Sequence, residues 1–383
     1  MTTVSPLAGG LFSERMARID TSEIRRMFAL AATLKNPINL SIGQPHFPAP
    51  APVRDAISEA LARNQTTYTQ TQGIVELRER LSRKFSEANG FEAHPDRILI
   101  SSGVSSLIQL LFMATIDPGD RVLLTDPAFL IYRSLLEFLG AQIEYIPENF
   151  TADDMAAFRA ADQAASSADR NRRPLKLIIF CTPSNPSGHI MTDDQIRMLA
   201  NLAEDKGALL VADEIYELFD YENRFKSAAA IYPNTVTFMG YSKSYSMTGL
   251  RLSAATGPES VIKAMTTLQQ YTVVCAPAPV QWAGIAALDL DMSTYVGEYK
   301  TNRDYCLERL RDKLEFTYPA GAFYIFARIP GTDREFVERA IQEKELLVVP
   351  GRIFSRSEDR VRISYATDRS TLERGMDALL ALI

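Results

Sequence analysis

Five short apolar runs constrain the fold most: "RILIS" (97–101), "RVLLT" (121–125), "KLIIFC" (176–181), "ALLVAD" (208–213) and "TVTFMGY" (235–241). Runs this short and this continuous suit strands buried on both faces. Helical patterns at 104–115, 129–139 and 193–205 lie between them. Strand followed by helix, repeated, predicts a mostly parallel sheet with helices on both sides. From about residue 259 the pattern changes. Helices are expected at 259–271, 279–289 and 295–313, then strands in "AFYIFARI" (322–329) and "RVRISYA" (360–366), with helices at 333–344 and 370–382. This second part reads as a smaller α+β domain, and 383 residues are more than one core usually organises. The Ala-, Asp- and Ser-rich segment 151–174 reads as a surface helix and loop without chemistry.

Charge narrows the partners. With 47 acidic and 41 basic residues the net charge is −6, which disfavours a nucleic-acid or membrane-surface binder. The three cysteines are widely spaced and odd in number, which fits a reducing compartment. Neither they nor the three histidines show metal-ligand spacing, so no metal is expected. Neither a signal peptide nor a membrane span is read, and a cytoplasmic location is expected.

In open α/β sheets ligands bind beyond the carboxyl ends of the strands, so the residues just after each run carry the argument. After "RILIS" comes Ser102-Gly103-Val104-Ser105-Ser106, a glycine and hydroxyls opening a helix, which can receive an anion or serve as an ordinary cap. After "KLIIFC" comes "TPSNPSG" (182–188), which fixes Asn185 between two prolines. Asp213 ends the fourth run and needs a partner or water, with Tyr216 three residues on. Ser242 and Lys243 follow the fifth, and Arg251 stands eight residues beyond the lysine. A partly desolvated lysine is a nucleophile, and an arginine suits a phosphate. A Schiff-base lysine with an acid for a pyridinium nitrogen is the protein signature of pyridoxal 5'-phosphate (PLP).

Beyond these fragments, the chain resembles the class I/II PLP-dependent aminotransferases of fold type I, in the branch of bacterial and archaeal aspartate and aromatic enzymes. The resemblance rests on "SEIRRMF" (22–28), "INLSIGQPHFPAP" (38–50), "TYTQTQGIVELRERL" (67–81), "SNPSG" (184–188), "VADEIYE" (211–217), "GYSKSYSMTGLR" (240–251), "PAGAFYIF" (319–326) and "VRISYAT" (361–367). It implies an α/β fold: a large PLP domain at 46–285 with a mostly parallel seven-stranded sheet, and a small α+β domain from 1–45 and 286–383. It implies that Lys243 forms the aldimine with PLP and moves the proton, while Asp213 pairs with the ring nitrogen. Asn185 and Tyr216 would bond the ring oxygen, and Phe129 would stack on the ring. Gly103, Val104, Ser105 and Arg251 would hold the phosphate, helped by Ser242. Tyr68 would reach the partner subunit's phosphate in a homodimer. Arg362 would grip the substrate carboxylate beside Asn185 and the Gly43 backbone.

The implied reaction moves an amino group from an L-amino acid, aromatic or broad in type, to a 2-oxo acid such as 2-oxoglutarate, through pyridoxamine phosphate. A PLP-dependent lyase, decarboxylase or cyclase is the alternative on this scaffold. A non-catalytic regulatory domain is a remote one. Four departures bear on specificity: His46, the Val104-Ser105 pair, Ser253, and a shortened 350–360 loop containing Arg352. The lysine that some aspartate-specific members carry near Ser105 is absent, which favours aromatic or broad donors.

Overall fold

The computed structural model describes residues 12–19 and 34–383. The "SEIRRMF" stretch lies outside the described residues. The chain builds twelve strands among the described residues: β1 (Ile38–Asn39), β2 (Ile98–Ser101), β3 (Arg121–Asp126), β4 (Gln142–Pro147), β5 (Leu175–Cys181), β6 (Leu209–Asp213), β7 (Thr235–Gly240), β8 (Ser253–Thr256), β9 (Tyr324–Arg328), β10 (Leu346–Leu347), β11 (Val349–Pro350) and β12 (Arg360–Ser364). Seven of them form one sheet in the order β2-β8-β7-β6-β5-β3-β4. Every neighbouring pair is parallel except the two that involve β8.

Side chains along these strands alternate between two cores, as a period of two requires. Val122, Leu124, Leu177, Ile179, Val211 and Phe238 face one cluster, which includes the buried face of helix Val104–Thr115. Leu123, Ile178, Phe180, Leu210 and Ala212 face the other, against helix Asp193–Lys206. The mostly parallel, helix-flanked sheet is the architecture expected. All five apolar runs form its strands, and β4 and β8 join them without a comparable apolar run. β4 is an edge strand with a mixed burial pattern, and β8 is the small-residue run Ser-Ala-Ala-Thr.

A three-stranded antiparallel sheet, β11-β12-β9, forms after residue 324, with helices Asp333–Lys344 and Arg369–Leu380 beside it. β1 pairs with β10, which ties the segment entering the site to this part of the chain. Helix Ala152–Ala168 covers the segment expected to lie on the surface. Its Asp162 is buried, however, and accepts from Arg172 and bonds Arg121 and Lys206.

Candidate active site

The carboxyl ends of β5, β6 and β7 and the small sheet enclose a cavity of about 580 Å³. Asp213, Lys243, Arg251 and Arg362 line it, with Asn185, Tyr216, Ser242, Val104, Ser105, Phe129 and Gly43. Asn185, Asp213 and Lys243 meet at one rim because parallel strands deliver their carboxyl ends to the same side, and Gly43 and Arg362 reach the cavity from the side of the small sheet.

Asp213 is buried at the end of β6. Tyr132 Oη donates to its Oδ2 at 2.6 Å, and the Ile215 N–H donates to Oδ1 at 3.2 Å. Burial raises its pKa to about 6, while those two donors and the Lys243 charge pull it back. Lys243 donates to the Gly43 carbonyl. Loss of water around its amine, and the charges of Arg362 and Arg251, bring its pKa down to about 8. An amine in that range is far more often neutral at physiological pH than an exposed lysine.

Arg362 is buried on β12. Its Nη1 donates to Asn185 Oδ1 at 3.0 Å and its Nη2 to the Ser41 carbonyl at 2.8 Å. The guanidinium lies between the rings of Tyr324, 4.5 Å from the centroid, and Phe354, at 4.8 Å. Its Nε is buried without a hydrogen-bond partner among the described residues. The turn carrying Asn185 is held from behind by Glu148, whose Oε2 accepts from Ser184 Oγ at 3.0 Å and Ser187 Oγ at 2.6 Å.

At the other end of the cavity, Gly103 precedes helix Val104–Thr115 with φ 88°, and no side chain caps that helix. A Cβ at Gly103 would collide with the Arg251 guanidinium, so glycine lets the cation approach the helix N-terminus. Arg251 donates to the carbonyl of Thr248 at 2.9 Å. Tyr68 is not brought to this cavity; it is 83% exposed.

Among the lining residues that the sequence does not single out, three aromatic ones shape the site. Tyr132 stands three residues after Phe129, Tyr324 sits inside "PAGAFYIF", and Phe354 lies in the 350–360 loop. Only the first had a signal a reader could use, a second aromatic on the same helical face. The unusual Arg352 does not line the cavity. Its N–H and Nε donate to the two oxygens of buried Asp333 at 2.8 and 2.7 Å, and its carbonyl accepts from Arg133 at 3.4 Å. His46 bonds Tyr299 Oη and Glu298, each within 3.1 Å, and Ser253 donates to the Ser101 carbonyl at 3.2 Å. Both act in packing, away from the cavity lining.

The family model of aminotransferase class I and II matches residues 35–379. The chain belongs to that family. It is 32% identical to an aromatic-amino-acid aminotransferase of Thermococcus litoralis, over 96% of this chain and 97% of the relative. It is 33% identical to a probable aspartate aminotransferase of Methanocaldococcus jannaschii, over 96% and 98%. Among solved structures, the aspartate aminotransferase of Thermotoga maritima superposes with a TM-score of 0.88 at 28% identity, covering 96% of this chain and 98% of that one. The chain is therefore a PLP-dependent aminotransferase, with the fold of its solved relatives. Among the described residues, no helix is long and apolar enough to cross a membrane.

Proposed function

We propose that this enzyme transfers the amino group of an L-amino acid with an aromatic or other apolar side chain to a 2-oxo acid, 2-oxoglutarate being the acceptor to test first. The convergence of Lys243, Asp213 and Arg362 on one cavity carries this reading. The residues suit PLP. The crowded glycine at 103 leaves an uncapped helix start beside Arg251, a fit for a phosphate. Asp213, held by Tyr132 and the Ile215 N–H, is an anion for a ring nitrogen. Bound PLP supplies an aldehyde for an amine and a ring that takes up the electrons of the α-carbon.

The chain's own residues do the rest. Val104 and Ser105 offer backbone N–H groups to the phosphate, with Arg251 and Ser242 alongside. Phe129 covers one ring face. Asn185 and Tyr216 donate toward the ring oxygen. Lys243, with its lowered pKa, would take the proton from the substrate α-carbon and return it two bonds away, as the acid/base of a 1,3-proton shift. Arg362 holds the substrate carboxylate, using the donor capacity left at Nε, beside Gly43 and Asn185. Ile42, Leu130, Val349 and Phe354 present an apolar wall, which supports apolar donors.

Two further parts of this reading concern assembly. The exposed Tyr68, with Tyr271 at 79% and Val273 at 42% exposure, supports a homodimer in which Tyr68 reaches the partner's phosphate site. A large domain at 46–285 and a small one at 1–45 and 286–383 are supported by the strands: the seven-stranded sheet lies within 98–256 and the three-stranded sheet within 324–364. The test is a spectrum of the PLP-loaded protein with one amino acid and no oxo acid. The visible band should fade once and return when a 2-oxo acid is added. Continuous release of product without any oxo acid would show a lyase or decarboxylase instead.

A further inference from the structure

Tyr324 is buried on β9, and its hydroxyl lies 2.9 Å from that of Tyr216. Tyr216 also accepts from Asn185 Nδ2 at 3.5 Å. The orientation of that amide is set by Arg362, whose Nη1 donates to Asn185 Oδ1 at 3.0 Å, so the NH2 group faces Tyr216. A phenol has one proton to give. A Tyr216 that spent it on Tyr324 could not donate into the cavity.

We infer that Tyr324 is a positioning residue: it donates to the Tyr216 oxygen, and so leaves the Tyr216 proton directed at the ring oxygen of PLP. Two further observations agree. The Arg362 charge lies over the Tyr324 ring, 4.5 Å from its centroid, which strengthens this phenol as a donor. An accepted hydrogen bond in turn strengthens Tyr216 as a donor, since bonded hydroxyls polarise one another. Gly43 makes the room. A Cβ there would lie 3.2 Å from the Tyr324 oxygen and 3.7 Å from Arg362 Nη2. The other charged or ionisable groups near Tyr216 are Arg362 from β12, Cys181 from β5, Tyr132 from helix Leu130–Leu139, and Asp213 and Lys243 in the same cavity.

This rests on the reading that Tyr216 faces the PLP ring. The experiment is a pH titration of the visible band in the PLP-loaded full chain, for the wild type, Tyr324→Phe, Tyr216→Phe and the double variant. Each change removes one hydroxyl and keeps the ring, so core packing and the Arg362 stack are retained. A donor to the ring oxygen stabilises its anion, so weakening that donor raises the titration midpoint. Tyr324→Phe should raise it by about half a unit, the size of one modest hydrogen bond. In the Tyr216→Phe background the same change should leave the midpoint where it is. An unmoved midpoint in Tyr324→Phe alone, or an equal rise without the Tyr216 hydroxyl, would overturn the inference. A wild type without any PLP band would overturn the underlying reading and this inference with it.

Discussion

The two rims of the cavity are built on different physics. On the strand-end rim, ionisable groups are held by specific hydrogen bonds and shifted by burial, with Asp213 brought up to about 6 and Lys243 down to about 8. On the small-sheet rim a single charged group, Arg362, is set among Tyr324, Phe354 and Val349. The first rim is equipped for proton movement and anion binding. On the proposed reading, the second combines one carboxylate clamp with shape. On the proposed reading, chemistry and selectivity are concentrated on different rims, joined where Tyr324 meets Tyr216 and where Arg362 bonds Asn185, and a substitution on the small-sheet rim should leave PLP binding intact.

The largest effect expected from this division is at Arg362. Arg362→Leu should lower kcat/KM for every donor by about 10²–10³-fold, the cost of losing a buried charge-assisted pair, while PLP still binds and shows its visible band. Steady-state kinetics beside a PLP titration check it. Loss of the band as well would show that PLP binding itself depends on the small-sheet rim.

Tyr132→Phe should act on the strand-end rim only. Without the donor at Oδ2, the Asp213 pKa rises further above its present value of about 6. More of the carboxyl is then protonated, and the electrostatic hold on a ring nitrogen weakens. Affinity for PLP should fall by about ten-fold, the lower end of what one hydrogen bond to a charged group is worth, and fall more as pH is lowered from 8 to about 6. A loss that grows toward high pH would contradict the sign of this argument.

The smallest effect is expected from Arg352→Ala. Arg352 grips Asp333 and seats the turn that carries Phe354 against Arg362. Its removal should raise KM for apolar donors a few-fold, with kcat and PLP binding nearly unchanged. A comparison of an aromatic donor with alanine would sharpen the point, since only the larger side chain needs the Phe354 wall.

Three residues of the strand-end rim were legible in the sequence because each follows closely on an apolar run, while Tyr132, inside a helix, was not. Asn185 comes four residues after Cys181, Asp213 ends its run, and Lys243 follows Tyr241-Ser242. Strand direction then does the assembly. Strands β4 and β8 were obscure for local reasons: one is a half-exposed edge, the other offers no large β-branched side chain. The small-sheet rim was legible only at Arg362. Phe354 reaches the cavity through a short turn anchored by Asp333, nineteen positions before Arg352, and nothing local marks that pairing. Tyr324 reads as one more aromatic in an apolar strand until its hydroxyl is seen opposite Tyr216.

The most direct test of the account is the visible absorption of the purified chain with PLP, wild type against Lys243→Ala, before and after an aromatic L-amino acid is added. The account predicts a band in the wild type that the amino acid discharges and a 2-oxo acid restores, with neither the lysine-linked band nor the discharge cycle in Lys243→Ala. The same band and cycle in both proteins would contradict the central role given to Lys243.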